Sequence, residues 1–286
     1  MPLKADCHIH MLLDGEDWRA AIDRHREEPD RELIRARLRA YAEAGFDYLR
    51  DGGDRWGAGR VAREMAGEYG IVYKTPLAPL CREGHYGGFI GTKFSDLREF
   101  ASLVQQTRTQ GGDFVKIMIS GLMDFDRYGR LTEEGLTPGE IGSMIHIVHE
   151  EGFAVMVHAN GARTVEAAAA AGADSVEHCA YLDRDAMATM VEQGTVWCPT
   201  LSAVGNLRGR GRFDENAVGE IYRSAVENVA CFARMGGLIA PGSDAGAWSV
   251  PHVIGGQDEY DHLRHALGAD CDRVLERGIQ EIRQKF

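Results

Sequence analysis

The chain has 286 residues, of which 44% are hydrophobic and 27% charged, and its formal net charge is −12. This composition is typical of a globular protein, and the acidic balance argues against a nucleic-acid-binding surface. No apolar stretch is long enough to cross a bilayer and the first residues do not resemble a signal peptide, so we expect a cytoplasmic protein with no membrane partner.

Strand and helix patterns alternate along the chain without a linker or a repeat, which predicts a single domain over residues 1–286. Eight strands are predicted, at about 3–10, 46–50, 71–77, 113–119, 153–158, 174–178, 195–200 and 238–244. Helices are predicted between and after them, at about 32–44, 58–69, 95–110, 138–152, 162–171, 184–193, 215–235 and from 258 onward. The intervening segments 14–28 and 81–93 are predicted loops. Eight such units favour parallel pairing and closure into a (β/α)₈ TIM barrel.

The first predicted strand, which begins at Leu3 or Lys4, carries Asp6, His8 and His10 at a spacing of two. This spacing places the three side chains on one face. Taken alone, two histidines on one face fit a packed core and a metal site equally well.

Later predicted strands contribute further ligand-type side chains, namely Lys116, His158, His178 and Asp244. Active sites of TIM barrels lie where the carboxyl ends of the strands meet, so these side chains are expected to converge there with His8 and His10. Imidazole and carboxylate donors favour zinc, with Mn, Fe, Co or Ni as alternatives, over Ca or Mg.

Lys116 lies inside an apolar strand, Phe114-Val-Lys-Ile-Met118, and a buried lysine is rare unless it is paired. One interpretation is a structural ion pair with Asp6 or Asp244. The other is a neutral amine that takes up CO₂ and becomes a carbamate whose two oxygens bridge two metals.

The combined motifs resemble the amidohydrolase superfamily, and within it the branch of imidazolonepropionase-like proteins and metal-dependent prolidases and carboxypeptidases. The resemblance covers residues 5 to about 255 and rests on Asp6-x-His8-x-His10, Lys116, His158-Ala-Asn, Ser175-Val-Glu-His178, Pro199-Thr-Leu201 and Gly242-Ser-Asp244. It implies that His8, His10 and Asp244 hold one divalent metal, that His158 and His178 hold a second, and that carboxylated Lys116 bridges them.

The resemblance also implies a mechanism for cleaving a C–N bond in a small molecule such as an amide, a dipeptide or a cyclic amide. A hydroxide that bridges the two metals attacks the carbonyl, and Asp244 acts as the general base. Two alternatives stay open. One is a hydrolytic deaminase of a heterocycle with one metal, against which Lys116 counts; the other is a non-catalytic metal-binding barrel.

The chain differs from the relatives of this resemblance at its two ends, because the first strand begins near Met1 and only residues 245–286 follow Asp244. We therefore expect a barrel without the accessory β-sandwich. The surface that the sandwich covers in those relatives is then either polar or buried in a homo-oligomer.

Substrate contacts are predicted more weakly, at His85, Asn160, Tyr128, His252 and Arg210. Structural roles are the alternatives: loop scaffolding for His85, helix capping for Asn160, ligand support for His252 and a solvated loop for Arg210 and its neighbours Arg208 and Arg212. Thr200 and Trp248 are further pocket candidates. Glu177 is expected to face the helices and to make a structural ion pair or hydrogen bond.

Overall fold

Ten short strands form the centre of the computed structural model, which describes residues 4–286, so the alternative strand start at Leu3 lies outside the described residues. The strands are β1 Lys4–Ile9, β2 Phe46–Asp51, β3 Val72–Lys74, β4 Leu80–Arg82, β5 Thr92–Phe94, β6 Val115–Met118, β7 Val155–Ala159, β8 Ser175–His178, β9 Val196–Cys198 and β10 Leu238–Ile239. Neighbouring strands pair in parallel in every case.

Helices alternate with the strands along the chain. They are α1 Trp18–His25, α2 Arg31–Glu43, α3 Ala58–Ala66, α4 Leu97–Thr109, α5 Pro138–Glu150, α6 Ala162–Ala170, α7 Arg184–Gln193, α8 Ser202–Gly205, α9 Glu215–Arg234, α10 Ile254–Leu267 and α11 Cys271–Lys285. Helix α5 begins with the capping box that the sequence contains, in which Thr137 and Glu140 bond each other's backbone amides. Over residues 4–286, no helix is long and apolar enough to cross a membrane.

The strands form two parallel sheets, in the orders β1-β2-β3 and β10-β9-β8-β7-β6-β4-β5. Backbone hydrogen bonds connect the two sheets at two places, one between the segments that follow β1 and β10 and one between the segment after β3 and the segment before β6. The amide of His10 donates to the carbonyl of Ala245 at 2.7 Å, and the amide of Asp113 donates to that of Thr75 at 3.0 Å. The predicted parallel α/β architecture is confirmed, and these bonds support closure into a barrel, which stays a prediction.

Strand register sets the level at which the candidate ligands lie. Met118 pairs with His158 across β6 and β7, and Ala159 pairs with His178 across β7 and β8. Every residue of β6 and β7 is buried, as expected for parallel strands that are covered on both faces. The carboxyl ends of neighbouring strands therefore bring their last side chains to one level.

The third predicted strand is interrupted, which the apolar pattern of residues 71–77 does not show. It ends at Lys74, and a second segment, β4, pairs with β6 instead. Pro76 and Pro79 lie between the two segments and cannot donate backbone hydrogen bonds, and Leu77 has a φ of 68°. Strand β5 then forms within the segment that was predicted to be a loop.

Two helical predictions also need correction. The polar segment 14–28 contains helix α1, which Asp17 caps and which buries Ala21 and Ile22. The last helix is two helices, α10 and α11, since the chain turns at Gly268 with a φ of 59°.

Candidate metal centre

The six predicted ligands lie around one end of the parallel strands. The rings of His10 and His8 have centroids 5.3 Å apart, His8 and His178 are separated by 5.1 Å, and His178 and His158 by 4.6 Å. Asp244 Oδ1 lies 3.3 Å from His10 Nε2 and 3.6 Å from His8 Nε2. The four imidazoles thus form a continuous row with the carboxylate at one end.

Close packing holds the first histidines in place. A Cβ added to Gly52 would clash with Cε1 of His10, so any side chain there would displace the imidazole. Asp6 is fully buried and accepts hydrogen bonds from Ser243, at 2.8 Å from the amide and 2.6 Å from the hydroxyl. Asp6 thus holds Ser243, the residue before Asp244, in place. It does not form the ion pair with Lys116 that the sequence left open.

Left-handed backbone at the strand ends places two of the ligands. His178 has a φ of 67° and Asp244 a φ of 60°, both in a region that L-residues rarely adopt. At the end of β8 this turn allows His178 and Glu177 to point toward the same interior. The prediction that Glu177 faces the helices is therefore wrong, although it does make an ion pair, with Arg50 at 3.0 Å.

Burial keeps the histidines in the form that binds metals. It lowers the pKa of His8, His158 and His178 well below the usual value, and the Lys116 ammonium lowers all three further. At neutral pH these imidazoles are uncharged, and each has a lone pair on one ring nitrogen.

The pKa values of Lys116 and Asp244 are also shifted by their surroundings. Burial lowers the pKa of Lys116 to about 8, which makes its neutral amine accessible near physiological pH. Burial opposes ionisation of Asp244, but a hydrogen bond from His10 and the nearby Lys116 ammonium help to hold the Asp244 pKa below its usual value.

The donor set fits divalent metal ions. Donor atoms of His8, His10 and Asp244 all lie within 4.8 Å of one another. In the described part of the chain, His8 Nε2, His10 Nδ1 and Lys116 Nζ are buried without a hydrogen-bond partner, which is costly for polar atoms unless a ligand satisfies them. Nitrogen and carboxylate donors are those that zinc prefers.

Three of the histidines have hydrogen-bond partners on the ring nitrogen opposite the site. Nδ1 of His8 contacts Glu177 Oε2 at 2.8 Å, and Nδ1 of His178 contacts Thr200 Oγ1 at 2.7 Å. Nε2 of His158 lies 3.3 Å from the carbonyl oxygen of Gly121. Such partners orient metal-binding imidazoles. Thr200, predicted as a pocket residue, is not among the residues that line the cavity and instead contacts the predicted ligand His178.

A cavity of about 630 Å³ opens over this row. All six candidate ligands line the cavity, together with Asn160 and Trp248. Its outer wall is aromatic and apolar, with Trp18, Phe89 and Phe213 among the lining residues. The cavity has the size expected for a small-molecule site.

The glycine-rich segment between β4 and β5 presents Tyr86 to the cavity, whereas the predicted contact His85 is not among the lining residues. The ring of Tyr86 packs on His158 with centroids 4.9 Å apart. His85 points to Glu133, at 3.6 Å. The position of His85 therefore does not support a contact with substrate, which stays a prediction.

Among the three loop arginines, Arg212 lines the cavity and Arg210 does not. Arg212 stacks on Trp248, with its guanidinium carbon 4.3 Å from the ring centroid, whereas Arg210 bonds the carbonyl of Asn206 at 3.3 Å. Tyr128 lies outside the cavity and packs on Tyr181.

The last two predicted contacts have their polar atoms engaged within the protein. Asn160 lines the cavity, but its amide donates to Gly121 and accepts from Ala180, both at 3.0 Å. Both ring nitrogens of His252 are used, by the Tyr41 hydroxyl at 3.1 Å and the Leu13 carbonyl at 2.9 Å. These contacts fit the structural alternatives.

The sequence analysis did not predict roles for Arg50, for Tyr86 or for helix α1, whose Trp18 and Arg19 line the cavity. Arg50 had a usable signal, because it is a charged residue in the apolar strand pattern that precedes Asp51, as Lys116 is in its own strand. Tyr86 and α1 had no comparable signal, since their orientation depends on loop geometry.

Comparisons with known proteins agree with this architecture. No family model matches the chain. A solved Xaa-Pro dipeptidase with bound methionine superposes with a TM-score of 0.80 at 20% identity, over 99% of this chain and 76% of that one. A solved prolidase complexed with N-methylphosphonate-L-proline gives 0.77 at 19% identity, over 100% and 75%. The chain has the fold of prolidases and amidohydrolases.

The ochratoxinase of Aspergillus niger is similar both in sequence and in structure. The sequences are 22% identical over 234 residues, which is 71% of this chain and 48% of the relative. The chain thus spans about half the length of the curated relative that it matches. The crystal structure of that enzyme superposes with a TM-score of 0.76 at 18% identity, covering 100% of this chain and 70% of the other. The resemblance to the amidohydrolase superfamily is therefore confirmed at the level of the fold.

Proposed function

We propose that this protein is a metal-dependent hydrolase that cleaves an amide-type carbon–nitrogen bond. The observation that carries the proposal is the convergence of four imidazoles, a buried lysine and a carboxylate at the end of the strands. The shared fold with a Xaa-Pro dipeptidase and a prolidase supports it.

Two divalent cations, most suitably zinc, would be held by this set. His8, His10 and Asp244 would bind one cation, and His158 and His178 the other. When bound, the cations supply a nucleophile at neutral pH and polarise the substrate carbonyl. Lys116 would bridge them as a carbamate, formed when its neutral amine adds CO₂ and loses a proton.

Asp244 would act as the general base. Asp244 is ionised at neutral pH and lines the cavity, so it is able to take a proton from the attacking water and pass it to the leaving amine. The hydrogen bond from His10 and the charge of Lys116 favour the ionised form of this carboxylate in an otherwise desolvated site.

The cavity wall indicates the kind of substrate. Aromatic side chains line its outer part, and Arg212 is held between Trp248 and Phe213. A small amide with a bulky apolar group and a carboxylate fits this wall, since a guanidinium binds carboxylates in a bidentate manner.

A single-metal deaminase is the second candidate, because the cluster of His8, His10 and Asp244 would be sufficient for one cation. Metal analysis of the purified protein, followed by assays on Xaa-Pro dipeptides, N-acyl amino acids and nucleobases, separates the two. Two equivalents of metal with amide hydrolysis support the first proposal. One equivalent with ammonia release supports the second, and bound metal without any turnover contradicts both.

A further inference from the structure

A buried charged cluster lies beneath the row of histidines, and its geometry points to a specific role. Arg50 and Glu177 are both fully buried, and their side chains are 3.0 Å apart. Glu177 also touches His8, at 2.8 Å. We propose that Glu177, oriented by Arg50 and Ser175, is a positioning residue that fixes the tautomer of His8. The inference rests on the proposed metal site.

The directions of the hydrogen bonds follow from the chemistry of the groups. A guanidinium only donates, and Arg50 uses its three nitrogens on the Cys7 carbonyl at 2.7 Å, the Ser175 hydroxyl at 2.8 Å and Glu177 Oε1 at 3.0 Å. Because the Ser175 oxygen accepts from Arg50, its own proton goes to Glu177 Oε1, at 2.6 Å. Two donors therefore occupy Oε1.

The other carboxylate oxygen, Oε2, faces Nδ1 of His8. An ionised carboxylate can only accept, so the proton between them belongs to Nδ1. In a neutral imidazole the lone pair is then on Nε2. This is the atom that lies 3.6 Å from Asp244 and has no hydrogen-bond partner among residues 4–286. The cluster thus directs the His8 lone pair into the candidate metal site.

Within residues 4–286, no other candidate histidine has a carboxylate bonded to the ring nitrogen that faces away from the site. Nδ1 of His178 contacts the hydroxyl of Thr200, which can either donate or accept. The carbonyl oxygen of Gly121, 3.3 Å from Nε2 of His158, can only accept, so it also selects a tautomer but carries no charge. Nδ1 of His10 is buried without a partner in the described chain. The charged support is therefore specific to His8.

The variant Glu177→Gln tests this role because it changes chemistry without changing shape. Arg50 and Ser175 both donate to the position of Oε1, so the amide oxygen of Gln must occupy it. The amide NH₂ then faces Nδ1 of His8 and donates to it. Nδ1 becomes an acceptor, and the imidazole proton moves to Nε2, where it competes with a metal for the nitrogen and weakens metal binding.

The experiment uses full-length, metal-free protein with ¹⁵N-labelled histidine. Long-range ¹H–¹⁵N NMR reads the tautomer of His8, and competition with a chromophoric chelator reads zinc affinity. We expect an Nδ1–H tautomer in the wild type and an Nε2–H tautomer in E177Q, with zinc affinity lower by roughly 10- to 100-fold. The tautomer is read without metal or turnover, so it is independent of the proposed hydrolase activity.

Glu259→Gln is the matched control. Glu259 is a buried carboxylate that accepts from the Ser202 amide at 2.7 Å and from its hydroxyl at 3.0 Å. E259Q should keep the Nδ1–H tautomer of His8 and the wild-type zinc affinity. The proposal is overturned by an Nε2–H tautomer of His8 in the wild type, which is measurable even where E177Q does not fold. A folded E177Q with unchanged tautomer and zinc affinity also overturns it.

Discussion

Replacing Lys116 with Met should stabilise the metal-free protein, because burying the charged amine of the lysine lowers the free energy of unfolding. Its amine is fully buried and has no hydrogen-bond partner within the described residues. Burial lowers its pKa from 10.5 to about 8. Each pKa unit corresponds to about 1.4 kcal/mol, so carrying the charge in the folded state costs about 3 kcal/mol. Methionine has a similar length and no charge.

The sign of the pH dependence follows from the same shift. Between pH 8 and 10.5 the unfolded chain binds more protons at Lys116 than the folded protein does, so folding stability rises with pH in this window. Below pH 8 the full cost of about 3 kcal/mol applies. The advantage of K116M should therefore be largest at pH 7 and smaller near pH 10.

Urea unfolding of chelator-treated wild type and K116M at both pH values measures this difference. Lys93→Met, at an exposed lysine, is the control and should leave the free energy of unfolding nearly unchanged. A K116M protein that is no more stable than wild type at pH 7, or an advantage that does not shrink with pH, would refute the reasoning. The variant should also lose part of its bound metal, which would explain why the sequence retains a destabilising lysine.

Three further substitutions test the site. Asp244→Asn should lower kcat roughly 100-fold or more with much smaller loss of metal in elemental analysis, and joint loss of metal and folding would argue against a general-base role. Arg212→Ala should raise KM for a carboxylate-bearing substrate roughly tenfold with little change in kcat, whereas Arg210→Ala should behave like wild type; equal effects would show that the cavity position of Arg212 is irrelevant. Thr200→Val should lower zinc affinity roughly tenfold at the site containing His178, as measured by chelator competition, and unchanged affinity would contradict its supporting role.

The sequence was sufficient to predict the parallel α/β architecture and the residues that come together at one end of the strands. His8 and His10 follow from the period of two along a strand, which is a property of the backbone alone. His158 and Asp244 follow from their positions at or just after the ends of later strands. Lys116 was recognisable because a charge inside an apolar strand requires a special environment.

The loops could not be predicted to the same degree, because their side chains are oriented by residues distant in the chain. Three arginines alternate with glycine at 208–212, and no local pattern distinguishes them. Arg212 is the one that reaches the cavity, since it stacks on Trp248, which lies far along the sequence. At the other loop, Tyr86 lines the cavity and the predicted residue His85 does not. The turns of this glycine-rich segment decide which of the two side chains faces the cavity.

The error at Glu177 has a more general origin. Strict alternation places neighbouring residues of a strand on opposite faces, so one of Glu177 and His178 had to face the helices. The left-handed backbone of His178 ends the alternation and admits both side chains to the interior. Such a conformation is costly for a residue other than glycine, and it is kept here where a candidate ligand must share the interior with the carboxylate that supports another ligand. A histidine at the last position of a strand can thus bind a metal even when its predecessor also points inward.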